Sequence, residues 1–95
     1  MMPKNRLPTH PGEILLKDFL EPMNITQVKF AKHLHVSVQR VNEIIRGKRG
    51  ITPETAWLFS NAFGNSPEFW INLQTNYDLA VSKPKTSIKP LLAAG

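Results

Sequence analysis

The chain has 95 residues, a formal net charge of +5 and no cysteine, which indicates one small domain and excludes disulfides and thiolate metal sites. No apolar run approaches the roughly 20 residues of a membrane-spanning helix, and the N-terminus lacks the apolar core of a signal peptide, so we expect a cytoplasmic protein. The charge is uneven: residues 26–50 carry six bases and one acid, whereas residues 51–82 carry three acids and no Lys or Arg. A positive field on one segment suits a polyanion such as DNA.

Start and stop signals along the chain predict five helices and no strand. Residues 1–9 form an irregular arm, Pro11 suits the first position of a helix, and Pro22 ends that helix. Gly47 and Gly64 suit left-handed helix ends. The four later helices each follow a residue that favours the N-cap position: Thr26, Ser37, Thr52 and Ser66.

These signals predict the domain boundaries as well. The third helix is expected at 38–46, the fourth ends near Phe63 and the fifth near Ser82. Residues 83–95, with two prolines and alternating lysines, are expected to form a flexible tail. The prediction is an all-α, compact five-helix bundle over residues 10–82 that combines DNA binding and dimerisation.

The stretch 27–46 has the pattern of a helix-turn-helix, which presents its second helix to the DNA major groove. The small residue Ala31 falls where the two helices must cross closely. His35 stands at the turn position usually held by glycine and is expected to adopt positive φ. Apolar residues occupy the positions that a shared core requires: Phe30, Leu34, Val36, Val41 and Ile44.

The outward positions of this stretch carry groups that can contact DNA. Gln27 opens the first helix beside free backbone N–H groups and can donate to a phosphate. Val38 and Gln39 open the second helix and should reach deepest, where Gln can pair with adenine and Val can contact a thymine methyl. Asn42 lies on the face of Gln39 and has the same adenine-reading chemistry.

The charged residues leave alternatives open. Arg40 could read guanine or bind phosphate. Glu43 could accept a hydrogen bond from cytosine, or could only pair with Arg46 at i+3. Arg46, Lys48 and Arg49 lie near or past the helix end and are expected to clamp phosphates. The alternative for the whole stretch is a helical hairpin without a nucleic-acid partner, but caps, apolar positions and charge together favour DNA.

No residue set predicts catalysis or a cofactor. The sequence has no cysteine nucleophile, no HExxH motif and no glycine-rich phosphate loop, and Asp18 and Glu21 are expected to be solvated. His33 and His35 are two apart, point differently on a helix and lack acidic or thiolate partners, so we do not expect a metal site. We expect neither an enzyme nor a bound cofactor.

An apolar stripe runs along the predicted fifth helix through Phe69, Trp70, Leu73 and Tyr77. One interpretation is that the whole stripe packs inward as core, which is favoured for Phe69 and Leu73. For Trp70 and Tyr77 a dimer interface is favoured, because such surfaces are rich in aromatics, and Leu73 is included in the predicted interface as their neighbour. A two-fold dimer would set its recognition helices about 34 Å apart.

Four motifs around the helix-turn-helix resemble the HigA/VapI antitoxin family of XRE-type proteins: HPGEIL, VNEIIRGKRGITPETA, AFGNSPEFWINLQ and NYDL. The resemblance runs from about His10 to Leu79. It implies a lambda-repressor-like fold and an antitoxin that neutralises a HigB-like ribonuclease toxin. It also implies a homodimer that represses its own operon by binding operator DNA. By position, operator contact is assigned to Gln27, Ser37, Val38, Gln39, Arg40 and Asn42.

The chain departs from the family pattern at His35, which replaces a glycine, and at Trp57, which replaces a smaller aliphatic residue. The residues alone leave Trp57 open as a core residue or a toxin contact. The toxin-binding surface is also open, between the N-terminal segment, the first helix and the acidic region 51–82. Two other functions remain: a stand-alone repressor without a toxin, and a protein-interaction module that uses the helix-turn-helix as a scaffold.

Overall fold

The computed structural model describes residues 8–92, and within this range it contains five helices and no strand. Helix α1 is α-helical over Pro11–Ile14 and continues as a π-helical segment over Leu15–Leu20. The other helices are α2 (Gln27–Leu34), α3 (Val38–Ile45), α4 (Pro53–Phe63) and α5 (Pro67–Val81). The predicted all-α fold with a helix-turn-helix is confirmed. Residues 83–92 are exposed and non-helical, while most of the predicted N-terminal arm and the last three residues of the predicted tail lie outside the described range.

The helix starts follow the capping signals in the sequence. At all four predicted N-caps the hydroxyl oxygen accepts a hydrogen bond from the backbone N–H three residues later, at 3.1 to 3.3 Å. Gly47 and Gly64 adopt the expected positive φ, at 74° and 75°. Helices α3 and α5 each end one residue earlier than predicted. Local hydrogen bonding by side chains therefore fixes most of the helix boundaries.

The N-terminus of α1 has a cap that was not predicted from the sequence. The imidazole Nδ1 of His10 accepts a hydrogen bond from the backbone N–H of Gly12 at 2.9 Å. The ring also lies edge-on against Tyr77, with centroids 4.8 Å apart. Burial lowers the pKa of His10, an effect that the nearby carboxylate of Asp78 partly opposes. A capping Nδ1 must be unprotonated, so the fold favours the neutral imidazole.

This cap predicts a pH dependence of stability. Because the folded pKa of His10 lies below the ordinary histidine value of 6.5, acidification protonates the unfolded chain first, and the free energy of unfolding falls as the pH drops below about 6.5. The substitution His10→Asn keeps a capping oxygen but removes the titration. Urea denaturation at several values between about pH 5 and 7.5 should give a smaller slope for His10→Asn than for the wild type. Equal slopes would show that His10 does not link protons to folding.

The π-helical segment is a second local feature absent from the prediction. The backbone N–H of Glu21 bonds to the carbonyl of Leu16, five residues earlier, at 2.9 Å. With a wider turn of this kind, residues five apart lie on the same side. Leu15 and Leu20 are accordingly both buried, at 0% and 1% exposure. The apolar spacing in the first helix thus fits a π-helical turn that brings both leucines into the core.

Trp70 lies at the centre of the core. Its side chain is 0% exposed, and its indole Nε1 donates to Oδ1 of Asn65 at 3.1 Å. The rings of Phe59 and Phe19, from α4 and α1, have centroids 5.0 and 5.1 Å from it. The prediction that Trp70 lies in a dimer interface is wrong, because a side chain without exposed surface cannot contact a partner.

The rest of the predicted stripe is divided between the core and the surface. Leu73 is half-buried against the core, and Tyr77 is half-buried against His10. Phe69, expected in the core, is 39% exposed, although its ring still packs edge-on to Trp70. A role for Leu73 and Tyr77 in a dimer stays a prediction. No helix in the described part of the chain is long and apolar enough to cross a membrane.

Candidate nucleic-acid interface

The turn between α2 and α3 has the predicted geometry. His35 adopts a left-handed conformation, with φ 61° and ψ 39°, and the N–H of Val36 bonds back to the carbonyl of Ala31 at 3.0 Å. Ala31 is 2% exposed, as expected of a residue where two helices cross. Val36 is half-buried, and the other predicted apolar positions of the motif are buried: Phe30, Leu34, Val41 and Ile44.

Helix α1 fixes the C-terminal end of α3 through a close backbone contact. Gly12 is buried, and a Cβ atom added there would overlap the carbonyl oxygen of Ile44. Only hydrogen can occupy this space, so a glycine is required for the observed distance between the two helices. The orientation of α3 therefore depends on α1 as well as on α2.

The N-terminal residues of α3, which are predicted to contact bases, lie at the surface. Val38 is 44% exposed and Gln39 is exposed. The side-chain Nδ2 of Asn42 donates to Oε1 of Gln27 on α2 at 3.1 Å. Nδ2 has a second proton and Oδ1 is not used in this bond, so Asn42 can still pair with adenine through both atoms. The bond orients two predicted DNA-contacting amides before DNA arrives.

Arg40 is held by α4. Its Nη2 atom donates to Oγ1 of Thr55 at 2.8 Å and to Oε1 of Glu54 at 3.1 Å. These bonds use Nη2 alone, and the guanidinium has further donors on Nε and Nη1, so the choice between guanine and phosphate stays a prediction. In the observed arrangement, Arg40 stabilises the position of α3 against α4. Ser37, another predicted operator contact, uses its hydroxyl to cap α3 through the Arg40 N–H.

Glu43 pairs with Arg49, and the predicted alternative of a pair with Arg46 is wrong. Its Oε1 accepts from Nε and Nη2 of Arg49 at 3.0 and 2.8 Å, and its Oε2 accepts from Gln39 at 3.3 Å. The hydrogen bond from Arg49 is the main cause that lowers the pKa of Glu43. Oε2 accepts only the bond from Gln39 and has a second lone pair, so Glu43 can still accept a hydrogen bond from cytosine. This contact stays a prediction.

The basic loop between α3 and α4 is anchored from behind by Gln74, a polar residue of α5. Gln74 is 9% exposed, and its Oε1 accepts from the backbone N–H of Ile51 at 2.6 Å. Its Nε2 donates to Asp78 at 2.8 Å. The exposed side chains Arg46, Lys48 and Arg49 are thus presented on a braced loop. No sequence signal distinguishes Gln74 from the exposed polar residues around it.

Among residues 8–92, no group of three His, Asp or Glu side chains could hold a metal ion. The polar side chains of this region instead bond to one another or face solvent beside the basic loop. Amide, hydroxyl and cationic groups on one exposed surface are suited to base edges and phosphates. The geometry is that of a DNA-binding face.

Comparison with known proteins places the chain in a family. Residues 16–70 match the Helix-turn-helix family. The chain also resembles the solved structure described as Pseudomonas aeruginosa antitoxin HigA with higBA promoter, with 40% identity and a TM-score of 0.83 over 90% of this chain and 99% of that one. The chain belongs to the HigA-type helix-turn-helix family. The family resemblance seen in the four sequence motifs is therefore confirmed.

Two further relatives support the HigA-type assignment. Virulence-associated protein I of Dichelobacter nodosus is 47% identical over 81 residues, which cover 84% of this chain and 75% of that protein. A solved structure of antitoxin GraA in complex with its operator has 32% identity and a TM-score of 0.83, over 98% of this chain and all of that one. The HigA-type similarity thus extends over nearly the whole length of the chain.

Proposed function

We propose that this protein is the antitoxin of a type II toxin–antitoxin system. As a homodimer it binds operator DNA and represses its own operon, and it binds and neutralises a HigB-like ribonuclease toxin in the cytoplasm. The observation that carries the proposal is the reading face of α3, where Val38, Gln39 and Asn42 lie beside the basic loop in a HigA-type chain. The family is one of DNA-binding regulators, which favours a role without catalysis.

The N-terminus of α3 and the basic loop that follows the helix act differently on DNA. Side chains at the N-terminus of α3 meet base edges in the major groove, where Gln and Asn can pair with adenine. Lys48 and Arg49, in the loop after α3, meet phosphates and attract every sequence equally. The hydrogen bond between Asn42 and Gln27, at 3.1 Å, restricts the rotamers of both side chains before binding. Less side-chain entropy is therefore lost when they contact DNA. The side chains that contact bases determine sequence specificity, while the basic loop contributes much of the affinity.

Toxin binding is supported by the family and by charge. The solved relatives are described as antitoxins, and residues 51–82 carry three acids and no Lys or Arg. A ribonuclease needs a positive surface for its RNA substrate, and an acidic region is complementary to it. The alternative, a stand-alone repressor without a toxin, rests on the same DNA-binding face and is distinguished by experiment.

Two alanine variants should separate base reading from phosphate binding. With a DNA fragment of its own promoter, Gln39→Ala should lose discrimination at one base pair by about 1–3 kcal/mol. Lys48→Ala should weaken binding to all sequences alike and lower the salt slope by about 1. Fluorescence anisotropy between about 50 and 200 mM salt measures both effects. Lys85→Ala, which removes an equal charge from the exposed tail, is the control and should behave like the wild type.

Identical behaviour of Gln39→Ala and Lys48→Ala would refute the division into readers and clamps. A wild-type protein that does not bind its promoter fragment would refute the proposed repressor. For the toxin, the product of the adjacent gene is co-expressed and the pair is purified through a tag on the antitoxin. A stable complex that restores growth supports the antitoxin role. Promoter binding without any such complex favours the stand-alone repressor.

A further inference from the structure

A carboxylate on α3 joins a predicted base reader to a predicted phosphate clamp. Oε2 of Glu43 accepts from Nε2 of Gln39, four residues earlier on the helix, at 3.3 Å. Its Oε1 accepts from Nε and Nη2 of Arg49 in the basic loop, at 3.0 and 2.8 Å. These three side chains are here called the Glu43 bridge. Glu43 is the single acid beside six bases in residues 26–50, so its place on a face that meets phosphates calls for a physical reason.

We propose that Arg49 helps to determine operator specificity, because it positions Gln39 through Glu43. The proposal rests on the proposed function and deepens it, since it couples a clamp to a reader. The contact of Arg49 with phosphate attracts every sequence equally. Its pair with Glu43 acts instead at the one base pair that Gln39 reads. Arg49 is therefore a positioning residue as well as a phosphate contact.

The carboxylate fixes the orientation of the Gln39 amide. An ionised carboxylate only accepts hydrogen bonds, so it selects the NH₂ end of the amide and repels the oxygen. Oε1 and the second Nε2 proton of Gln39 remain free, and these groups pair with N6 and N7 of adenine. Gln39 therefore meets the base edge with its donor and acceptor already in place. An amide that is free to flip also presents the two groups in the reverse order, and so discriminates less between bases.

Arg49 holds the carboxylate in place. The backbone N–H of Arg49 bonds to the carbonyl of Glu43 at 3.2 Å, so backbone and side chain both tie the two residues together. The hydrogen bond from Arg49 is also the main cause that lowers the pKa of Glu43, which favours the ionised carboxylate. The pair leaves both Nη1 protons and one Nη2 proton of Arg49 free for phosphate. Arg49 can thus contact DNA and Glu43 together, and it offsets the repulsion between Glu43 and the phosphates.

Lys48 provides a matched control, because it is the neighbouring base in the same loop. Its backbone N–H also bonds to the carbonyl of Glu43, at 2.8 Å. Within residues 8–92, however, its ammonium group forms no ion pair with the Glu43 carboxylate, which pairs with Arg49. Both residues add one charge to the loop, but only Arg49 belongs to the Glu43 bridge. Exposed ion pairs contribute little to stability, so alanine at either position should leave the fold intact, as circular dichroism can check.

Binding to promoter fragments with single base-pair changes tests the coupling. The base pair read by Gln39 is the one at which Gln39→Ala loses discrimination. At this base pair, Arg49→Ala should reduce discrimination about threefold or more, a coupling typical of side chains in one hydrogen-bonded network. Lys48→Ala should weaken binding to every fragment but keep the discrimination of the wild type. In the Gln39→Ala background, Arg49→Ala should cause no further loss of discrimination.

Glu43→Ala should have two effects of opposite sign. Removal of a negative charge should raise affinity for DNA without the operator, because the phosphates are repelled less. Loss of the Glu43 bridge should lower discrimination at the base pair of Gln39. Loss only at a different base pair would show that Glu43 itself contacts a base, and would overturn the proposal. Full discrimination in Arg49→Ala, or in Gln39→Ala, would overturn it as well.

Nuclear magnetic resonance of the free protein detects the Glu43 bridge without DNA. Arg49→Ala should shift the side-chain amide signals of Gln39, whereas Lys48→Ala should leave them in place. Unchanged Gln39 signals in Arg49→Ala overturn the Glu43 bridge even where the promoter fragment is bound. Failure of the proposed function gives a different result: the wild type does not bind its promoter fragment, and the role of Arg49 in specificity falls with it whatever the Gln39 signals show.

Discussion

Substitution Trp70→Ala should strongly destabilise the fold, whereas substitution of an interface residue would only weaken dimerisation. Trp70 is 0% exposed, and its ring packs against aromatic residues from α1 and α4 as well as against Phe69 on its own helix. Truncation of a buried tryptophan costs about 3–5 kcal/mol, through lost burial and the cavity that remains. It also leaves Oδ1 of Asn65 without its indole donor. A small domain has only about 5–15 kcal/mol of stability, so this loss is a large fraction of it.

Urea denaturation followed by circular dichroism measures this loss. Trp70→Phe, which keeps an aromatic ring but removes the bond to Asn65, should fall between Trp70→Ala and the wild type. Leu79→Ala removes a side chain that is 68% exposed and should change the free energy of unfolding by no more than about 0.5 kcal/mol. A monomeric Trp70→Ala protein with the free energy of unfolding of the wild-type monomer would contradict the core assignment and restore the dimer-interface prediction.

Local features of the fold could be predicted from the sequence, whereas the burial of Trp70 could not. Capping hydroxyls, helix-ending glycines and the left-handed His35 were predictable because each depends on a few neighbouring residues. The spacing of α5 identified its apolar stripe but not which members face inward. Burial of Trp70 depends on Phe19, Phe59 and Phe63, which come from other helices. A single-helix pattern contains no information about those partners.

The candidate site shows the same limit. The exposure of Val38 and Gln39 was predictable from their position at the start of α3. The bonds that orient the face were not, since Arg40 and Thr55 are 15 residues apart, and Gln74 and Ile51 are 23 apart. Glu43 also pairs with Arg49 and not with Arg46, the partner expected from helical spacing, because the chain turns back after α3. The N–H of Arg49 bonds to the carbonyl of Glu43 at 3.2 Å, which brings their side chains together.

Gly12→Ala reverses the effect expected from the sequence. Glycine at this position in the first turn of a helix lowers helix propensity, and alanine would be expected to add up to about 1 kcal/mol of stability. In the structure, the added methyl would overlap the backbone carbonyl of Ile44 on α3. Neither helix can relieve a backbone clash by changing a rotamer, so α1 must move away from α3. We expect a loss of about 3 kcal/mol, the upper part of the range for overpacked sites.

The same substitution at Gly64 provides the control for Gly12→Ala. Gly64 has φ 75° and no heavy atom within 4 Å of an added Cβ, so Gly64→Ala should cost about 1–2 kcal/mol through left-handed strain alone. Thermal denaturation compares the two variants. Promoter binding adds a second measurement: because α1 sets the position of α3, Gly12→Ala should lose operator affinity even where it is still folded, whereas Gly64→Ala should keep it. Equal stability and equal affinity of the two variants would show that the contact between Gly12 and Ile44 does not position the reading helix.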